Sequence, residues 1–338
     1  MEYRSLGATG LEVSRLGLGT MVLGDWGNRD LEACHRIINR ALDAGVNLVD
    51  TADMYADGQN EEIVGRAIAG RRDELVLCTK FHHPIEGVAG SGGNSRRWIE
   101  RAVEDSLRRL GVDHIDVYQA HRPDPAVPIE ETVEALSDLV TAGKIRHWGT
   151  STFPAHDLVE LHHVADAGGC VAPATEQPPY NALCRQVEAD VLPVCLERSV
   201  GVLTWSPLSG GWLTGKHQRG AAADPGSRAV TNPDHFDGDN ATKHDAVAAL
   251  MAIAQDAGMS VTQLALAWNV EHPAVTAALI GPRTEAQLDD LLTAGDVVLD
   301  VATLDAIDAV VRPGVSINPA DVGWIPPGLD RAQRRRAR

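Results

Sequence analysis

Short apolar runs alternate with longer stretches of helical periodicity along the chain, the pattern of repeated βα units. Eight runs read as strands: Leu16–Gly19, Asn47–Asp50, Leu75–Lys80, Asp116–Ala120, His147–Ser151, Ala174–Gln177, Gly201–Trp205 and Ala277–Gly281. Most are apolar at successive positions, as parallel strands covered on both faces must be. Between them, Leu31–Ala44, Glu61–Ala69, Ser95–Leu110 and Glu130–Ala142 read as helices. Around the last of these, Ile129, Val133, Leu136 and Val140 recur at helical spacing, and Gly143 supplies a stop.

Eight such units without a break in composition favour a closed (β/α)8 TIM barrel over an open doubly wound sheet. The expectation is an α/β fold with one domain over residues 1–325. Residues 215–239, after the seventh strand, are rich in Gly, Pro, Asp and Asn and read as a long loop, a lid or a disordered segment. The basic end, residues 326–338, reads as a solvated tail.

Composition changes this picture only by exclusion. A hydrophobic share of 44% with 23% charged residues is that of an ordinary globular protein. The net charge of −17 argues against nucleic-acid partners and anionic membrane surfaces. No apolar run approaches the ~20 residues that span a bilayer. The first residues lack the basic and apolar regions of a signal peptide. Five scattered cysteines, odd in number and without a CxxC, suit reduced thiols, so a cytoplasmic location is expected. Oligomeric state leaves no mark on the sequence.

Chemistry collects where the strands end. The second strand closes on Asp50, the third on Lys80, and the fourth is followed by His121, with Tyr55 in the loop beyond Asp50. In a barrel this rim is the functional face. A charge at the end of an apolar strand needs a partner, and Asp50 and Lys80 can satisfy each other. A lysine ammonium near Tyr55 would lower the pKa of the phenol from its usual ~10 towards the range of general acid catalysis. His121 can hydrogen-bond and orient a substrate oxygen. Alone, each residue reads as a structural ion pair or an incidental rim residue; four at successive strand ends read as a site.

These residues lie in segments that resemble the aldo-keto reductase family, and the similarity runs from end to end. They are Arg4-Ser-Leu-Gly7, Leu18-Gly19-Thr20-Met21, Asn47-Leu-Val-Asp50-Thr-Ala-Asp-Met-Tyr55, Asn60-Glu-Glu-Ile-Val-Gly65, Leu77-Cys-Thr-Lys80 and Asp113-His-Ile-Asp-Val-Tyr-Gln-Ala-His121. The resemblance implies reduction of an aldehyde or ketone, with hydride from a nicotinamide and a proton from Tyr55. It makes Lys80 and Asp50 the residues that tune Tyr55, and His121 the one that orients the carbonyl. It implies a small carbonyl substrate and NADPH, with NADH the less favoured cofactor.

It also implies a cofactor site. Ser151, Thr152 and Gln177 would hold the carboxamide, with Thr152 standing where the family has asparagine. Trp205 would stack on the ring. The segment Ser206, Pro207, Leu208, Gly210, Gly211, Gly215 and Lys216 would approach the pyrophosphate, with Gly19 and Thr20 at the first strand end. Gly281, Arg283, Gln287 and Asp290 would take the adenosine end, Arg283 gripping the 2′-phosphate. Asp290 replaces the usual asparagine; it can accept a bond from adenine but not donate one, and its charge opposes the phosphate.

Met21, Trp26, Met54, Phe81 and His82 follow the first three strands and are candidates for an apolar substrate pocket. Adjacent His82 and His83, without carboxylates at ligand spacing, do not read as a metal site, and none is expected. Two other readings stay open: a regulatory module that binds NADPH and a protein partner with little turnover, and a metal-dependent barrel hydrolase.

Overall fold

The computed structural model describes residues 1–217, 219, 230, 236 and 240–326. The chain opens with a hairpin that the apolar pattern does not announce, β1 (Tyr3–Ser5) antiparallel to β2 (Glu12–Ser14). Strands of three residues are too short to display a period. Eight parallel strands then follow: β3 (Leu16–Gly19), β4 (Leu48–Asp50), β5 (Val76–Phe81), β6 (Ile115–Ala120), β7 (Ile145–Ser151), β8 (Thr175–Gln177), β9 (Gly201–Thr204) and β10 (Val275–Ile280). They pair in chain order, and β10 returns to β3, so the sheet closes into a (β/α)8 barrel.

Helices cover the outside: α1 (Leu31–Asp43), α2 (Gln59–Ile68), α3 (Arg96–Leu110), α4 (Ile129–Thr141), α5 (Ala155–Gly168), α6 (Val191–Arg198), α7 (Ala241–Asp256), α8 (Val261–Glu271), α9 (Glu285–Leu292) and α10 (Val301–Val310). Their ends carry the expected caps. Asp30 accepts from Ala33 N at the start of α1, and Ser260 with Gln263 forms a capping box on α8. Between β9 and β10 the described residues include the helices α7 and α8, and α10 after the barrel packs on α7. Among the described residues, no helix is long and apolar enough to cross a membrane.

Most barrel strands bury both faces, which is why their sequences read as apolar runs. Outward residues such as Leu18, Val49, Leu77, Tyr118, Trp148, Val202 and Ile280 pack under the helices. Inward residues Leu48, Val76, Cys78, Val117, Leu203, Ala277 and Leu279 meet in the lower barrel, where Leu6 and Val13 from the hairpin close it. Each leucine or valine among them contributes about 1.5–3 kcal/mol by leaving water. The seat is tight: at Gly7, with φ of 54°, a Cβ would lie 2.5 Å from Gly201 N and Ser199 O. Only glycine fits there.

Several boundaries differ from the sequence reading. β5 extends one residue to Phe81, while Trp205 and Gly281 lie just past β9 and β10. Most of the loop expected at 215–239 lies outside the described residues, as do residues 327–338 of the basic tail.

Candidate active site

The upper barrel interior holds a buried charge pair. Asp50 ends β4, and Lys80 is the last inward residue of β5. The Lys80 Nζ donates to Asp50 Oδ1 at 2.5 Å and to Thr51 O at 2.8 Å, and stands 3.5 Å from the Tyr55 hydroxyl. Asp50 Oδ2 accepts from Gln177 Nε2 at 2.9 Å and Gln119 Nε2 at 3.5 Å. Both carboxylate oxygens are thus satisfied, the condition under which such a pair survives burial. Burial opposes the Lys80 charge, but Asp50 and Tyr55 outweigh it and hold the ammonium above its ordinary range. Gln119 is missed by the sequence reading. The two-residue period of β6, counted back from His121, is the signal that places it inside.

Tyr55 begins a 3-10 turn, Tyr55–Gly58, in which Ala56 and Asp57 have φ of 48° and 52°. Its ring lies 5.9 Å from that of Trp26 and 5.9 Å, edge-on, from that of His121. The expected lowering of the phenol by Lys80 is not the net result. Burial is the largest influence and raises it, Lys80 lowers it, and the balance lies above the usual tyrosine value. Asp50 takes much of the ammonium's field at 2.5 Å, whereas the phenol is a full ångström further away. Tyr55 is therefore a protonated phenol at neutral pH. Burial, followed by Lys80 and Arg122, holds His121 well below the histidine range, so its imidazole is neutral. Among the described residues its Nδ1 has no hydrogen-bond partner.

Behind Tyr55 a buried polar net fixes the loop. Asn60 Oδ1 accepts from the hydroxyls of Thr20 and Thr51, each at 2.6 Å, while its Nδ2 donates to Thr20 O and Leu23 O. This corrects one assignment: the Thr20 hydroxyl is fully buried and engaged by Asn60 and Asp50 O, so the side chain is structural. Glu61 accepts from Thr79 Oγ1 at 2.6 Å and Arg109 Nε at 2.7 Å. Asp53 lies near them, and burial, then Glu61, pushes it well above the carboxylate range.

The rim residues expected to hold a cofactor come together at the ends of β7, β8 and β9. Ser151 Oγ donates to Gln177 O at 2.8 Å, Thr152 adopts φ of 63°, and Trp205 Nε1 donates to Thr152 Oγ1 at 3.2 Å. Gln177 commits its amide nitrogen to Asp50, leaving its oxygen for other bonds. Glu176 secures this corner, accepting from Thr150 Oγ1 at 2.5 Å and Phe153 N at 3.2 Å. After Trp205, Ser206 Oγ accepts from Gly210 N and Leu208 O from Gly211 N, and Ser209, Gly210 and Gly211 are all left-handed. Pro207 sits within this turn, Gly215 ends it at φ of 74°, and Lys216 is exposed. Thr284 caps α9, and Gln287 Oε1 accepts from Arg283 N at 2.8 Å. Asp290 is exposed on α9.

One pocket expectation fails. Phe81 is fully buried and stacks on Tyr118 at 4.9 Å, under the helices. Lys80 points into the barrel, so its strand neighbour must point out. His82, at φ of 136°, is tied through Nδ1 to Asn94 Oδ1 at 2.8 Å. The ring beside His121 belongs instead to His83, 4.8 Å away edge-on, whose pKa is lowered to about 4 chiefly by burial. Trp26 does reach the site, 48% exposed next to Tyr55, and Met21 and Met54 are partly buried beside it in sequence. Among the described residues, no three His, Cys, Asp or Glu side chains are grouped to hold a metal. A hollow of about 750 Å³ between α2 and α3 contains none of these residues, and its arginines are paired with carboxylates.

Comparison with known proteins places this geometry in context. A family model described as "Aldo/keto reductase family" matches residues 15–312. The chain is 37% identical over 322 residues to the Arabidopsis thaliana "Probable voltage-gated potassium channel subunit beta", covering 92% of this chain and 97% of that one. It is 39% identical over 310 residues to "Aldo-keto reductase YhdN" of Bacillus subtilis, covering 86% and 88%. It is 36% identical over 336 residues to "Uncharacterized oxidoreductase YrpG" of the same organism, covering 96% and 100%.

Proposed function

This chain belongs to the aldo/keto reductase family, and on that premise we propose that it reduces an aldehyde or ketone to an alcohol with NADPH. The observation that carries the proposal is the Tyr55 hydroxyl 3.5 Å from Lys80, whose ammonium is held at 2.5 Å by Asp50. The neutral His121 donates a hydrogen bond to the carbonyl oxygen and holds it by Tyr55. The Tyr55 hydroxyl gives its proton to that oxygen as it becomes an alkoxide. Lys80 then stabilises the phenolate left behind. NADPH, when bound, supplies the hydride.

The rim fits such a cofactor. Gly19, Trp205 and Gly281 stand at the ends of three neighbouring strands, and Gly281 is exposed there. Trp205 would stack on the nicotinamide, with Ser151, Thr152 and Gln177 on its carboxamide. Ser206, Pro207, Leu208, Gly210, Gly215 and Lys216 would follow the pyrophosphate. Arg283, Gln287 and Asp290 would take the adenosine end, with Arg283 on the 2′-phosphate.

The names of the channel-subunit relatives favour a second reading, an NADPH-binding regulatory module with a protein partner. The two separate in one experiment, NADPH oxidation across a panel of aldehydes and ketones by the wild type and by Tyr55→Phe. Turnover that the substitution abolishes supports the reductase. Tight NADPH binding without turnover on any carbonyl overturns it in favour of the regulatory module.

A further inference from the structure

Arg122 follows His121 at the end of β6 and makes an unusual set of contacts. Its Nη1 donates to His121 O at 2.5 Å, and its guanidinium carbon lies 5.8 Å over the Trp205 ring. It influences both Tyr55 and His121 electrostatically. It is thus bracketed by the proton donor, the orienting histidine and the rim tryptophan. The remaining Nε–Nη2 edge makes no hydrogen bond among the described residues.

The other well-buried guanidinium groups show what is missing. Arg15, Arg72, Arg109 and Arg185 each face a carboxylate at 3.1, 2.8, 2.7 and 2.9 Å. Among the described residues, Arg122 has no carboxylate within 4 Å. The nearby acid that acts on it, Glu176, is bonded to Thr150 and Phe153 instead. Asp50 likewise neutralises Lys80. Among the described residues, Arg122 is therefore a cation without a carboxylate partner, next to the position a carbonyl would occupy. A desolvated guanidinium without a counter-ion is unfavourable, and its planar fork matches a carboxylate.

We propose that Arg122 binds a carboxylate carried by the carbonyl substrate, so that the preferred substrates are oxo acids whose acid group lies beyond the reacting carbonyl. This rests on the reductase reading above. With the carbonyl oxygen at Tyr55 and His121, the acid meets the open edge of Arg122, while Trp205 keeps the guanidinium in plane and His83 walls the His121 side.

The test uses 4-carboxybenzaldehyde and its methyl ester, which share shape and differ in charge, with the full chain and NADPH. The acid is expected to have a kcat/KM at least tenfold above that of the ester. Arg122→Met should lower the acid about 10- to 100-fold, the range for losing a charge-assisted bond, with the ester changed less than about threefold. Arg122→Lys, which keeps the charge, should restore part of the ratio. Equal wild-type rates on acid and ester, or a parallel fall of both in Arg122→Met, would overturn the proposal and leave Arg122 as a support for Tyr55, His121 or Trp205. If neither compound is turned over, binding of 4-carboxybenzyl alcohol and its methyl ester to the protein with NADP⁺ decides. An Arg122-dependent preference for the acid keeps the anion site and leaves the reductase reading to the carbonyl panel; no preference overturns the proposal.

Discussion

The two halves of the barrel interior are built from the same strands and have opposite characters. In β4 the inward residues step from Leu48 to Asp50; in β5 from Val76 and Cys78 to Lys80; in β6 from Val117 to Gln119, with His121 just beyond. Two residues along each strand, an apolar plug becomes a charged cluster. The lower half is sealed by Leu6 and Val13, and its stabilisation is the removal of apolar surface from water. The upper half buries Asp50 and Lys80, an ion pair whose desolvation offsets most of its attraction. Such a pair adds little to folding, and the plug beneath it supplies the stability that lets it persist. Even Cys78, at the boundary, is kept inert, because burial pushes its thiol well above the usual range.

The sharpest way to break this division is Tyr55→Phe. Loss of the proton donor should lower kcat by about 10²–10⁴-fold while NADPH affinity and melting temperature stay nearly unchanged. An equal fall in cofactor affinity would make Tyr55 structural. The complementary change is Leu6→Ala in the plug. It should cost about 2–5 kcal/mol in chemical denaturation, with kcat/KM of the folded protein unaltered. A tenfold loss of kcat/KM would show that base and mouth are coupled.

A smaller effect distinguishes the halves by pH. Burial raises Glu176, at the mouth, from 4.5 to about 7. The folded state therefore holds a proton that the unfolded chain has released, so this residue's contribution to stability falls as pH rises from 4.5 to about 7. That contribution amounts to about 3 kcal/mol. Glu176→Gln should flatten the wild-type decline across that window; identical slopes in denaturant titrations would refute it. Smallest is the effect at the outer rim. Arg283→Ala should weaken NADPH about tenfold and NADH hardly at all. Parallel weakening would place the 2′-phosphate elsewhere.

Much of the fold and of the site is legible in the chain. Strands covered on both faces leave continuous apolar runs, so the barrel strands are readable to within a residue or two. A charge ending such a run must be paired, which links Asp50 with Lys80 across two strands. Phe81 shows the limit. One extra residue in β5 reverses its face, and no local pattern marks where a strand releases the chain. His83 rather than His82 meets His121 because of the unusual backbone at His82, set by Asn94 twelve residues away. Thr20 reads as a rim residue from its place after β3, yet Asn60 claims its hydroxyl.

The barrel, the order of its units and the four residues of its candidate site are written in the chain, because periodicity and the demand for charge pairing are local or nearly so. The plug beneath them, the glutamines on Asp50, the open edge of Arg122 and the net direction of the Tyr55 acidity emerge only on folding. Those depend on desolvation and on distances between strands far apart in the chain, and burial is a property of the whole surrounding shell rather than of any segment.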